Sequence, residues 1–144
     1  MTAREYLAQA RYIDHLIDTK LEQLAQIRET ATKATMTLSD MPRSNSPNLQ
    51  TLESTVVKIV DMEHEIDADI DRLVDLKREI QSVIQRVRNP LYKTLLELRY
   101  LGFKTWEEIS EIIDRDISNV YRANKGALRA VESIMMEMHV NDIS

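Results

Sequence analysis

The chain has 144 residues, 43% of them hydrophobic and 30% charged, with two glycines, three prolines, no cysteine and a formal net charge of -5. Such a length holds one ordinary domain or two small ones, and such a balance belongs to a helix-rich protein rather than a β-sandwich. Disulfides, thiolate zinc sites and cysteine nucleophiles are excluded, no apolar run approaches the roughly 18 residues that span a bilayer, and MTAREYLAQARY lacks a signal-peptide core, so a cytoplasmic all-α protein is expected.

From Thr2 to about Leu38, Tyr6, Ala10, Ile13, Ile17, Leu24, Ile27, Ala31 and Ala34 recur at alternating spacings of three and four, with Lys20 in the remaining slot. That is a heptad seam on a helix. Residues 39–48, SDMPRSNSPN, carry the prolines and small polar residues of a loop. A second seam follows through Leu49, Leu52, Val56, Ile59, Glu63, Ile66, Ile70, Leu73, Lys77, Ile80, Ile84 and Val87. Wholly helical, it would be roughly 60 Å long. Laid antiparallel, the seams pair Ile17 with Ile66, Leu24 with Ile59 and Tyr6 with Lys77, and they set Lys20 opposite Glu63. Slips of seven residues preserve the repeat, so charge selects the register: neighbouring slips would leave the Lys20 ammonium against Ile70 or Val56, unpaired and costly. Val57, Val60, Val74, Leu76 and Val83 widen the apolar face beyond what one helix covers, which predicts a homo-oligomer, with a dimer favoured. Residues 1–88 are thus read as a helical hairpin and oligomerisation module.

Asn89-Pro90 opens the second module, 89–144, because asparagine caps a helix and proline suits its first position. The helix it starts carries Leu91, Leu95, Leu98 and Leu101 and is expected to stop at Gly102 in the left-handed conformation. Thr105 and Glu108 form a T-x-x-E capping box ahead of Trp106, Ile109, Ile112 and Ile113. After Asp114-Arg115, Asp116 is placed to cap a longer helix buried through Ile117, Val120, Ala127, Leu128, Val131 and Ile134. Three helices with a tight turn before the last make a helix-turn-helix. At about 100° per residue, Ser118, Arg122, Lys125 and Arg129 share an arc of roughly 60° on the face opposite Val120, Ala127, Val131 and Ile134. Arg122, Lys125 and Arg129 face only Asp116 in the charge balance of residues 116–130, a positive helix in a negative chain. Asn119 and Tyr121 flank the strip, and asparagine and arginine are the side chains that read adenine and guanine bidentately, so double-stranded DNA is the expected partner.

The stretch LLELRYLGFKTWEEISEIIDRDISNVYRANKGALRAV, residues 95–131, resembles region four of bacterial sigma factors, with Thr105, Glu107, Glu108, Ile109 and Ala127-Leu128-Arg129 falling on that motif without a gap. The resemblance implies promoter binding in the major groove, with Ser118, Asn119, Tyr121, Arg122 and Lys125 facing DNA. The whole chain, including KLEQLAQIRETATKATMTLSDMP and DADIDRLVDLKREI, resembles small phage regulators of the ArpU and RinA type, which implies control of phage or prophage genes. Two positions depart from the motif. Asp116 stands where serine or threonine is usual, and Gly126 interrupts the helix at a cost of roughly 1 kcal/mol relative to alanine.

Other chemistries find less support. Asp61, His64, Asp67 and Asp71 share a helix face, but the facing helix offers only Asp14, His15 and Asp18, so no metal site and no cofactor are expected. His15, His64 and His139 lie in separate contexts, and two glycines leave no phosphate-binding loop. The chain is read as a sequence-specific DNA-binding transcriptional regulator and not an enzyme. The rival readings are a small-terminase-like packaging subunit and a coiled-coil adaptor that contacts RNA polymerase. Met135, Met136 and Met138 are expected to pack back on the core.

Overall fold

The computed structural model describes residues 1–39 and 47–143; of the expected loop over 39–48, residues 40–46 lie outside them, and Ser39, Pro47 and Asn48 belong to the flanking helices. The chain is all-α, with no strand among the described residues. Helix α1 spans Ala3–Ser39, α2 Pro47–Ile84, α3 Pro90–Leu96, α4 Trp106–Ile112 and α5 Ile117–Ile143, and a π-helical turn over Glu97–Leu101 extends α3. None of the described helices is long and apolar enough to cross a membrane.

Two compact units result, and they do not divide at Asn89-Pro90: one is Asp14–Arg72, the other Met1–Ile13 with Leu73–Ser144. In the first, α1 and α2 run antiparallel and bury Ile17, Leu24 and Ile66, with Ile27 and Ile59 half-buried. Their register differs from the expected one. Lys20 Nζ lies 2.6 Å from Asp69 Oδ2 and 3.7 Å from Glu65 Oε2, while Glu63 pairs with Arg28. Lys20 thus meets a residue six positions past Glu63 (63 to 69), and Glu63 a residue eight positions past Lys20 (20 to 28), a displacement of about one heptad. By that displacement Leu24, not Ile17, stands level with Ile66, and Ile59 is no longer the counterpart of Leu24. A lysine stem is long enough to leave the seam, so the slip costs no unpaired ammonium; it gives Lys20 two carboxylates and Glu63 a guanidinium. Asp69, buried to 6% exposure, also accepts from Arg72 Nη1 at 3.4 Å, which is how a charge persists inside the hairpin. The hydrogen bond to Asp69 holds the Lys20 ammonium above its ordinary range.

In the second unit, the last turns of α2 and the first turns of α1 share one apolar cluster with α5. Ala3, Leu7 and Ala10 pack with Ile80, Val83, Ile84 and Val87 and with Ala127 and Val131. This shared core is why the hairpin's base joins the C-terminal helices rather than separating from them at residue 89. Ala3 N–H also donates to Glu132 Oε2 at 2.8 Å, so α5 supplies a cap to the start of α1. Lys77, expected against Tyr6, instead lies 4.4 Å from the Phe103 ring centroid. Tyr6 neighbours Glu79, and burial together with that carboxylate raises its hydroxyl to about 12.

A smaller cluster of Leu95, Ile109, Val120 and Ala123, ringed by Leu91, Leu98, Trp106 and Ile113, ties α3, α4 and the start of α5 together. Fully burying each such aliphatic side chain contributes roughly 1.5–3 kcal/mol. The helix starts are those that local chemistry dictates. Asn89 Oδ1 accepts from Leu91 N at 2.9 Å and Tyr92 N at 3.3 Å with Pro90 at the first position. Thr105 and Glu108 close the capping box reciprocally at 3.1 and 3.3 Å. Gly102, however, is not left-handed: it sits at φ -89°, and Phe103 carries the positive φ of 57°. The π turn moves the stop, because Gly102 N bonds back five residues to Glu97 O at 2.9 Å and the chain reverses one residue later.

Candidate nucleic-acid interface

α5 is positioned by what it buries. Val120, Ala127 and Val131 are at 0% exposure and Ala123 at 9%, which fixes the helix's rotation and turns the opposite face to solvent. Ser118, Asn119, Tyr121, Arg122, Lys125 and Arg129 are all exposed, as the arc predicts. Ser118 Oγ donates to Asp116, whose carboxylate also accepts backbone N–H groups from Ser118 and Ile117. These bonds hold the Asp116 carboxyl below its ordinary range, so it is ionised at neutral pH and caps α5. Asn119 Oδ1 receives a long contact from Arg122 Nη1 at 3.5 Å, which leaves the guanidinium's other donors open. Tyr121 stands edge-on to Trp106 with ring centroids 5.5 Å apart, so one side of the strip is braced by α4.

Gly126 now has a reason. A Cβ added there would lie 2.3 Å from Tyr92 Oη and 2.6 Å from its Cζ. The tyrosine of α3, packed against both apolar clusters, crosses α5 where any side chain would obstruct it. The glycine that weakens the helix by propensity therefore permits α3 and α5 to approach.

Lys125 has a second setting. Together with Arg4 and Arg11 of α1 and Arg99 of the π turn it lines a cavity of about 460 Å³, walled by Tyr100, Trp106, Tyr121 and Asn124. Arg99 is held in place: its guanidinium lies 4.2 Å from the Trp106 ring centroid and Nη1 donates to Lys104 O at 2.9 Å. Tyr100 Oη donates to Asn124 Oδ1 at 3.2 Å within the wall. Burial and the nearby Arg11 charge lower the Arg99 pKa from its ordinary value. Sequence reasoning missed Arg4, Arg11 and Arg99. The spacing of Arg4 and Arg11 puts them on one face of α1, but nothing local says that this face meets α5.

The seam residues do not form a site of their own: Lys20 and Glu63 take different partners, and Ile17, Ile66, Leu24 and Ile59 serve hairpin packing. Along that hairpin Leu21, Val56, Val57, Val60 and Ile70 remain between 41% and 58% exposed. Of the five residues expected to widen the apolar face, Val57, Val60 and Val74 are exposed, Leu76 is half-buried and Val83 is core.

Residues 48–132 match the family model described as a protein of unknown function, DUF1492, and the chain belongs to that family. No curated protein and no solved structure matches it.

Proposed function

We propose that this DUF1492 protein is a sequence-specific DNA-binding transcriptional regulator that places the first half of α5 in the major groove. The observation that carries this reading is the division of α5: Val120, Ala127 and Val131 lie in the cores, while Ser118, Asn119, Arg122, Lys125 and Arg129 make an exposed strip with net positive charge in an acidic chain. A helix held by α3 and α4 through a dedicated cluster is stiff enough to present that strip in one geometry. The resemblance to phage regulators suggests phage or prophage promoters as targets. The exposed valines and isoleucine of the hairpin support self-association, which would set two copies of α5 on a repeated or palindromic operator.

The test is binding of Arg122→Ala and Lys125→Ala to a duplex selected by the protein from a random pool, and to its scrambled version, across a salt series. Arg122→Ala should cost roughly 1–3 kcal/mol on the selected duplex, with little effect on the scrambled one. Lys125→Ala should weaken both. Unchanged affinity in both variants, with intact folding, rejects α5 as the reading helix. A monomer by light scattering at micromolar concentration rejects the paired operator.

A further inference from the structure

We propose that Arg4 and Arg11, at the start of α1, form with Arg99 and Lys125 a seat for one backbone phosphate of the DNA that α5 reads. This rests on the DNA-binding reading and extends the interface to a helix outside the helix-turn-helix.

Four cations line the cavity and no carboxylate does, in a chain whose formal charge is -5. Like charges gathered in a partly desolvated concavity repel one another, and an anion bound between them removes that cost. Arg4 and Lys125 make no hydrogen bond or ion pair among the described residues, so their donors are available. Arg99 is already oriented by Trp106 and Lys104 O and spends little entropy on receiving a ligand; Glu107 is the acid it senses, and Glu107 is not in the cavity wall.

Two features favour a phosphodiester of the bound duplex. Lys125 belongs both to the exposed strip and to the cavity, and Arg4 also lines a shallow hollow with Arg129, so the cations are continuous with the reading face. The indole of Trp106 is covered by Arg99 and abutted by Tyr121, which removes it as a platform for a nucleobase. The site thus offers charge and hydrogen-bond donors, the chemistry of a position-fixing backbone contact that carries no sequence information.

The experiment uses the full chain with Arg4→Gln, Arg11→Gln and both together, and Arg4→Lys as the charge-preserving control. Binding is measured on the selected and scrambled duplexes between about 50 and about 200 mM salt, beside Arg122→Ala. Either glutamine should weaken both duplexes alike, and the double variant, which loses that single phosphate contact, should flatten the salt slope by about 0.9, so that affinity falls about 3.5-fold less over that range. Arg4→Lys should keep the slope, and the glutamine variants should melt no lower than the wild type, since each glutamine removes one of four mutually repelling charges. Unaltered slopes in the glutamine variants, with Arg122→Ala still weakening the selected duplex, overturn the phosphate seat and leave the reading helix standing. A wild-type chain that binds no duplex overturns both. Micromolar binding of inorganic phosphate or a free mononucleotide, abolished by Arg4→Gln while the slopes stay put, reassigns the cavity to a small anion.

Discussion

Gly126→Ala should destabilise this protein, although the same change at an exposed mid-helix glycine would stabilise it. Alanine gains roughly 1 kcal/mol of helix propensity over glycine. Against that, the added methyl would lie 2.3 Å from Tyr92 Oη and 2.6 Å from Cζ, the latter about 1 Å inside the ordinary carbon contact distance of about 3.5–4.0 Å. Tyr92 has little room to withdraw, since its backbone is tied to the Asn89 cap and its ring is packed on two apolar clusters. Overpacking of this kind costs roughly 1–3 kcal/mol, so the net loss should be about 1 kcal/mol. In a Tyr92→Leu background the obstruction is gone, and Gly126→Ala should stabilise by roughly 1 kcal/mol. The difference between the two backgrounds, about 1–3 kcal/mol, is the coupling to be measured by urea denaturation at fixed protein concentration. Equal stabilisation by Gly126→Ala in both backgrounds would refute the claim that Tyr92 dictates the glycine.

The hairpin register gives a second test. In double-mutant cycles Lys20 should couple to Asp69 and not to Glu63, whereas Arg28 should couple to Glu63; a Lys20–Glu63 coupling larger than that of Lys20 with Asp69 would restore the register one heptad away. The third concerns alkaline pH. Tyr6 holds its proton more tightly when folded, so its contribution to stability is complete below the unfolded value near 10 and is lost as pH rises towards about 12. Tyr6→Phe should remove that part of the alkaline decline, and an identical decline in the variant rules Tyr6 out as its source.

The parts of this fold that were legible are those whose physics is local. A cap needs only a side chain and the amides two or three residues on, so Asn89, the Thr105–Glu108 box and Asp116 could each be read from a few letters. The buried side of α5 followed from the helical period alone. Register could not be read in the same way, because a heptad pattern is unchanged by a slip of seven and the tie-breaking charge had more partners than the seam supplies: Asp69 and Glu65 flank it, and both reach Lys20. The cationic cavity illustrates the same limit at the candidate site. Arg122, Lys125 and Arg129 announce themselves because they share one helix face, but Arg4 and Arg11 stand more than a hundred residues before Lys125. Their approach depends on Ala3, Leu7 and Ala10 packing beside Ala127 and Val131 in one core. Small residues at Ala3, Ala10, Ala127 and Gly126 are what let these backbones come close, yet in the sequence Ala10 and Ala127 mark only which helix face is buried, not what it meets, and the glycine looks like a flaw. Their meaning is relational: it exists only once the partner helix is in place, which is why the exposed cationic face of α5 could be found from sequence and the approach of Arg4, Arg11 and Arg99 to it could not.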